Sequence, residues 1–395
     1  MKPLTRSVLI SLVALCVGQP LLFAQTWIQT SVPTNFWYSV ASSADGSKLV
    51  AVNDGATGES IWTSTNSGAT WVPLQTLAGQ LTFVASSADG VTLTVLSPSQ
   101  PVYTSLDSGN TWAQTLPGND PEPWSSVAAS ADGTNLFLTS IGASNPPSIY
   151  ASTNSGALWT ATGAPKEFWH WVACSADGTK VIAGNSSYLI GGSVYLSTNS
   201  GTKWTPANLP SDHWNCVASS ADGSKLAATA VDGLIYVSTN FGTDWTATSS
   251  PKKYWSCLAS SADGNRLAAA GPGFLMTSED SGLTWESNNV PALSWNSVAC
   301  SADGHKLVAT AYGAGIYTLQ TAPSPLLSVG ASGAGLLLSW IIPSQNFILQ
   351  QNSDLGSTNW TKVGAAPVLN LKTLRNEVPI TAPNDRMFYR LTAQQ

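Results

Sequence analysis

Apolar and polar residues of this chain alternate in short runs of four to eight, each stopped by Gly, Asn, Asp or Ser, and little of it carries the period of a helix. The run from Trp37 to Ser43 reads as a strand, Ala44-Asp45-Gly46 as a tight turn, and Lys48 to Val52 as a second strand. A third strand, Ile61 to Thr65, is turned at Asn66 to Gly68 into a fourth that begins at Trp71. The Asp-Gly pair suits its turn because glycine accepts positive φ and aspartate bonds its own following backbone. Leu49 to Val52 is apolar on both faces, which predicts a strand covered by another sheet on either side.

The same four-strand pattern returns along the chain. Asp-Gly recurs at Asp45, Asp89, Asp132, Asp177, Asp222, Asp263 and Asp303, at intervals of 40 to 45 residues. Eight residues before these aspartates stand Trp37, Leu81, Trp124, Trp169, Trp214, Trp255 and Trp295. Four antiparallel strands repeated radially make an all-β, seven-bladed β-propeller. Unit seven runs into Thr321-Ala-Pro-Ser-Pro325 before any fourth strand, whereas Thr26-Trp27-Ile28 copies the start of one. Residues 26–30 are therefore expected to close blade seven.

A second signature, Ser-x-Asn/Asp-x-Gly-x-x-Trp, follows each of the first six aspartates, from Ser64–Trp71 to Ser278–Trp285. It resembles the Asp-box, or BNR, repeat of sialidases, of some other glycoside hydrolases and of the photosystem II assembly-factor family, over residues 26–320. The likeness implies a fold more than an activity. Four of the six boxes carry Asn and only Asp107 and Asp280 are acidic, so the position needs a hydrogen-bond acceptor and not a charge. Residues 326–395 form a separate module with strand-like runs at Gly335–Ile341, Phe347–Asn352, Trp360–Val363, Asn376–Ile380 and Met387–Thr392. They resemble the fibronectin-like C-terminal domain of secreted verrucomicrobial proteins, which implies a small accessory β-sandwich.

The N-terminus adds an address. Lys2 and Arg6 precede an apolar run from Val8 to Val17 and a plausible cleavage point at Phe23-Ala24, so residues 1–24 read as an export signal. The propeller then spans 25–320 and a Pro-rich linker 321–325; no further transmembrane candidate is seen. Loss of the leader moves the formal charge from −6 to −8, with no basic patch to meet nucleic acid or an anionic membrane. Secretion and an extracellular or envelope setting are expected. Cys174 and Cys300 sit in distant units, while Cys216 and Cys257 occupy neighbouring ones, as buried free thiols or, if their strands approach closely enough, a disulfide.

Candidate chemistry is sparse. Residues 26–320 contain a single arginine, Arg266, so the arginine cluster of a sialidase cannot be assembled. A carboxylate pair for glycoside hydrolysis is open among Asp54, Glu59, Asp120, Glu122, Glu167 and Asp212. His170, His213 and His305 lack metal-ligand spacing, and no cofactor motif is present. What remains is Trp37, Trp124, Trp169, Trp214, Trp255 and Trp295, at the starts of the first strands, with Phe36, Tyr38, Phe168, Trp171 and Tyr254 nearby. Such a collar is either inter-blade packing or a surface for glycan or protein. The expectation is a non-catalytic binding or scaffolding module acting through the six Trp, with a glycoside hydrolase and a photosystem-type assembly factor as alternatives.

Overall fold

The computed structural model describes residues 27–393 except 56–57, 75–76, 78, 99–100, 118–122, 143–147, 186–190, 211, 321–326, 333–334, 342–346, 356 and 382–386. The export-signal and linker expectations, Asp120 and Glu122 lie outside the described residues. The chain divides into two compact units, Gln25–Pro323 with Leu371–Leu374, and Ser324–Asn370 with Arg375–Gln395.

The larger unit is a β-propeller. After β1 (Ile28–Gln29), unit one is β2 (Asn35–Ser42), β3 (Leu49–Asn53), β4 (Ile61–Ser64) and β5 (Val72–Pro73). Unit two is β6 (Phe83–Ser86), β7 (Leu93–Leu96), β8 (Val102–Ser105) and β9 (Ala113–Thr115); unit three is β10 (Trp124–Ala129), β11 (Leu136–Ser140), β12 (Ile149–Ser152) and β13 (Thr160–Ala161). Unit four is β14 (Trp169–Cys174), β15 (Val181–Asn185), β16 (Val194–Ser197) and β17 (Thr205–Pro206); unit five is β18 (Trp214–Ser219), β19 (Leu226–Ala230), β20 (Ile235–Ser238) and β21 (Thr246–Ala247). Unit six is β22 (Cys257–Ser260), β23 (Leu267–Gly271), β24 (Phe274–Ser278) and β25 (Glu286–Ser287); unit seven has β26 (Trp295–Cys300), β27 (Lys306–Ala314) and β28 (Ile316–Gln320). Within each unit the strands pair antiparallel in chain order.

First strands touch one another in the sequence β2, β6, β10, β14, β18, β22, β26 and back to β2, so they line the axis. Second strands such as β3, β11 and β15 are buried at every position, as strands sandwiched between sheets must be. The main chain also closes the ring. The alanine before each Asp-Gly donates its N–H to the equivalent alanine carbonyl of the next unit, through Ala44, Ala88, Ala131, Ala176, Ala221, Ala262 and Ala302, whose N–H returns to Ala44 O at 2.7 Å. Every link is 2.7–2.8 Å.

The fourth strand of unit seven comes from the N-terminus, since β1 pairs antiparallel with β28 through Ile28 opposite Thr318 and Gln29 opposite Tyr317. Trp27 is buried and its indole N–H donates to Asn288 Oδ1 at 2.9 Å. Its ring lies 6.4 Å from Trp295 at 47°, as the box rings Trp204 and Trp285 lie 6.1 Å from Trp169 and Trp255 at 36° and 43°. Trp27 thus stands where a box would have placed a tryptophan. A second closure was not foreseen in the sequence: the end of β27 passes its own sheet and pairs with β2, Asn35 opposite Ala314 and Phe36 opposite Tyr312.

In the smaller unit, β29 (Ser328–Ser332), β30 (Gly335–Ile341), β34 (Arg375–Ile380) and β33 (Val368–Asn370) form one sheet, in that order, and β32 (Thr361–Lys362), β31 (Phe347–Asn352) and β35 (Phe388–Ala393) another. Leu338, Trp340, Leu349, Val363 and Val378 are its core.

Candidate functional site

Strand alternation puts the Asp-Gly turns and boxes at one end of the propeller, and the loops that enter first strands or join second to third strands at the other. At the turn end the polar side chains are consumed by the fold. Ser43 Oγ donates to Asp45 Oδ1 at 2.6 Å and accepts from Lys48 N, and the same pair of bonds recurs at Ser301, where Asp303 and Lys306 N are the partners. Burial by itself would raise the Asp45 carboxyl, but hydrogen bonds from Ser43 and Ser47 outweigh it and leave it lowered. Gly46, at φ +65°, has no room for a Cβ, which would lie 2.7 Å from Lys306 Cδ. The lysine responsible reaches across to unit one and donates to Asp45 O and Ser67 Oγ.

The boxes are turns of the same kind. Ser64 Oγ accepts from Gly68 N at 2.9 Å, and Asn66 Oδ1 accepts from Thr70 N at 2.8 Å. Asp107 accepts from Thr111 in the same geometry, and the hydrogen bonds from its hydroxyl and N–H hold the carboxyl below its usual range. An acceptor is what the position requires, whether amide or carboxylate.

The six tryptophans of the expected collar are not a surface. Trp37, Trp124, Trp169, Trp214, Trp255 and Trp295 are each at most 2% exposed. Each meets an aromatic ring of its own third strand edge-on: Trp62, Tyr150, Tyr195, Tyr236, Phe274 and Tyr317, at centroid distances of 5.0–6.3 Å. Indole N–H groups of Trp37, Trp169 and Trp295 donate to the carbonyls of Pro33, Pro165 and Pro291, four residues upstream, and so pin the entering loops. The recurrent Pro-x-x-x-Trp spacing was the unused sequence signal for this role. The ligand-surface reading of these six rings is therefore corrected to packing: a ring enclosed by two sheets offers no face to a ligand.

A β-bulge follows the tryptophan in units one, three, four, five and seven. It leaves the next residue outside the ladder, and in three units that side chain bonds the tryptophan carbonyl of the following unit: Ser125 to Trp169 O, Asn215 to Trp255 O and Asn296 to Trp37 O. Phe83 of unit two and Trp171 of unit four meet edge-on at 5.9 Å although unit three stands between their strands, so the two rings span the channel at this level.

The exposed rings belong to the residue just before the tryptophan, where alternation turns side chains outward. Phe36 is 42% exposed, Phe168 48% and Tyr254 46%. Tyr312, on the strand end that crosses onto unit one, is 45% exposed and packs against Phe36 at 4.9 Å, tilted by 41°, and edge-on against Tyr38 at 5.5 Å. Tyr38 hydroxyl also accepts from Gln80 Nε2. Burial, the Tyr312 hydrogen bond and the Asp54 carboxylate together raise its pKa, so it is a neutral phenol at physiological pH. Phe36, Tyr38 and Tyr312 form one aromatic patch at the junction of units seven and one. The sequence had gathered Phe36 and Tyr38 with the collar and overlooked Tyr312.

Two further carboxylate candidates are engaged locally. Glu167 accepts from Asn185 Nδ2 at 2.7 Å and Asp212 from His213 N at 2.7 Å. Burial lowers the pKa of His170 and that of His305, the latter to about 4, so both rings are neutral at pH 7. Cys174, Cys216, Cys257 and Cys300 are all free thiols, and burial pushes the first two and the last to about 12. Cys216 and Cys257 therefore do not pair. Among the described residues, no three His, Cys, Asp or Glu side chains converge to hold a metal, and no helix is long and apolar enough to cross a membrane.

No protein-family model matches the chain, and no curated protein matches it. Solved structures do. The photosystem factor YCF48 bound to a D1 peptide is similar over 75% of this chain and 97% of its own, with a TM-score of 0.58 at 19% identity. YCF48 from Cyanidioschyzon merolae covers 74% of this chain and 98% of its own, at TM-score 0.59 and 16% identity. Hydrazine synthase of Kuenenia stuttgartiensis covers 75% and 98%, at TM-score 0.60 and 18% identity. At such identities the likeness is one of fold, and the fold is the β-propeller.

Proposed function

We propose that the chain is an exported, non-catalytic seven-bladed β-propeller that holds a protein partner on its loop end, with a C-terminal β-sandwich as an accessory domain. The observation that carries this reading is the set of exposed rings at Phe36, Phe168, Tyr254 and Tyr312, in a propeller where Trp37, Trp124, Trp169, Trp214, Trp255 and Trp295 are all enclosed. Large exposed aromatics cost solubility and are kept where a partner covers them. The closed chain of alanine hydrogen bonds supports the blade count, and the peptide bound to YCF48 supports a polypeptide partner in preference to a glycan. At the turn end the repeated polar groups are engaged in turns, which favours the loop end.

The test is binding of the mature chain to paired arrays of 12-residue peptides and of glycans. Peptide binding that Phe36→Ala and Tyr254→Ala diminish, with no effect on melting temperature, is expected. Binding only to glycans, or sugar release from them, would replace this reading.

A further inference from the structure

We infer that the patch of Phe36, Tyr38 and Tyr312 is a seat for a cationic peptide segment, one that presents an arginine or lysine to the ring faces. This rests on the protein-binding reading and names the partner's chemistry.

Two independent features meet there. The first is aromatic: Phe36 and Tyr312 are both over 40% exposed, and their rings pack 4.9 Å apart at a 41° tilt with Tyr38 edge-on to Tyr312. Tyr38 is anchored by Gln80 and Tyr312 by strand pairing of β27 with β2, so the rings are held in place before anything binds. A preordered pair of ring faces attracts a guanidinium or ammonium through the ring quadrupole.

The second is the sign of the charge around it. In units seven, one and two, the described residues of the loops at this end are 288–294, 311–315, 30–36, 53–55, 58–60, 74, 77, 79–81, 97–98 and 101. They contain no lysine, arginine or histidine, and their charged residues are Asp54 and Glu59. Asp54 is close enough to act on the Tyr38 hydroxyl. The lysines of this end, Lys166, Lys252 and Lys253, enter units four and six. An acidic ligand would find no counter-charge among these residues, whereas a cation finds the Asp54 carboxylate and exposed ring faces, with Glu59 five residues further along the chain.

The experiment is an array of 12-residue peptides of varied sequence, probed with the mature chain at low and at moderate salt. Peptides retained are expected to be rich in Arg or Lys and poor in Asp or Glu. For the best of them in solution, Tyr312→Ala and Phe36→Ala should each weaken binding roughly two- to fivefold. Replacing Asp54 and Glu59 together by Asn and Gln should weaken it comparably and flatten its salt dependence. Leu158→Ala, an exposed residue of a box at the opposite, turn end, should leave it unchanged. Thermal melting of each variant checks that it is folded. Retention of neutral or acidic peptides that still depends on Phe36 and Tyr312 would overturn the cationic assignment and leave the protein-binding reading standing. Retention of no peptide would overturn both.

Discussion

Replacing Trp27 by alanine tests whether the N-terminal strand locks the ring. The side chain is 7% exposed, its ring lies 6.4 Å from Trp295, and its N–H satisfies Asn288 Oδ1. Truncating a buried tryptophan costs about 3–5 kcal/mol through lost transfer energy and the cavity left behind. The low end applies here, because β1 is a two-residue edge strand whose surroundings can relax. At about 2–4 °C per kcal/mol, a loss of about 3 kcal/mol lowers the melting temperature by roughly 6–12 °C.

The position of the effect discriminates more sharply than its size. Thr30 N donates to Ile316 O, and β28 has only β1 on its outer side. Amide exchange in residues 316–320 should therefore accelerate in Trp27→Ala, while β15 of unit four keeps its protection. Trp204→Ala, the corresponding change within unit four, should lower the melting temperature by a similar amount without opening β28. An unaltered melting curve, or exchange at 316–320 no faster than in the parent, would refute the lock.

Other perturbations separate packing from surface. Trp169→Ala should cost about 3–5 kcal/mol, whereas Phe168→Ala, its exposed neighbour, should stay within about 0.5 kcal/mol in chemical denaturation. Gly304→Ala places a Cβ 2.7 Å from Arg266 Cβ at φ +70°, and a loss of about 2 kcal/mol or more is expected from the left-handed backbone and the clash. In the boxes, Asp107→Asn should leave the melting curve in place, because Asn fills that position elsewhere, while Asn66→Ala should cost about 1–2 kcal/mol. His305, neutral in the folded chain with its pKa lowered to about 4, must take up a proton more readily when unfolded. Its contribution is thus fully present above its unfolded pKa, near 6.5, and is lost as pH falls from there toward 4. His305→Gln should flatten stability over that window, measured by melting at successive pH values.

Much of the propeller was legible because its repeats obey local rules. Asp-Gly needs positive φ at Gly46, a serine two residues before the aspartate accepts the returning N–H, and Leu49–Val52 is buried on both faces; each fact sits within a dozen residues of sequence. Contacts between units were less legible. The lysine three residues past the aspartate reads as a solvated strand residue, yet Lys306 reaches a turn 261 positions away. Nothing in the composition of β27 announces that its last residues leave their sheet for β2. Sequence periodicity reports which neighbours a residue has along the chain, and these partners are set by the closure of the ring.

The misassigned tryptophans follow from the same limit. In a strand, adjacent residues face opposite ways, so the dyads Phe36-Trp37, Phe168-Trp169 and Tyr254-Trp255 divide two tasks between neighbours: the tryptophan packs and the ring before it faces water. Repetition marked the tryptophan, because every inter-sheet wedge must have the same shape. A binding position is under the opposite demand, since one partner touches different units at different points of its own chain. The residue before the tryptophan varies accordingly, as Phe36, Gln80, Pro123, Phe168, His213, Tyr254 and Ser294. In a ring of near-identical units, then, chemistry that distinguishes one partner from another is to be sought where the repeat breaks its pattern, and at this end it breaks one residue ahead of the ring that recurs in six of the seven units.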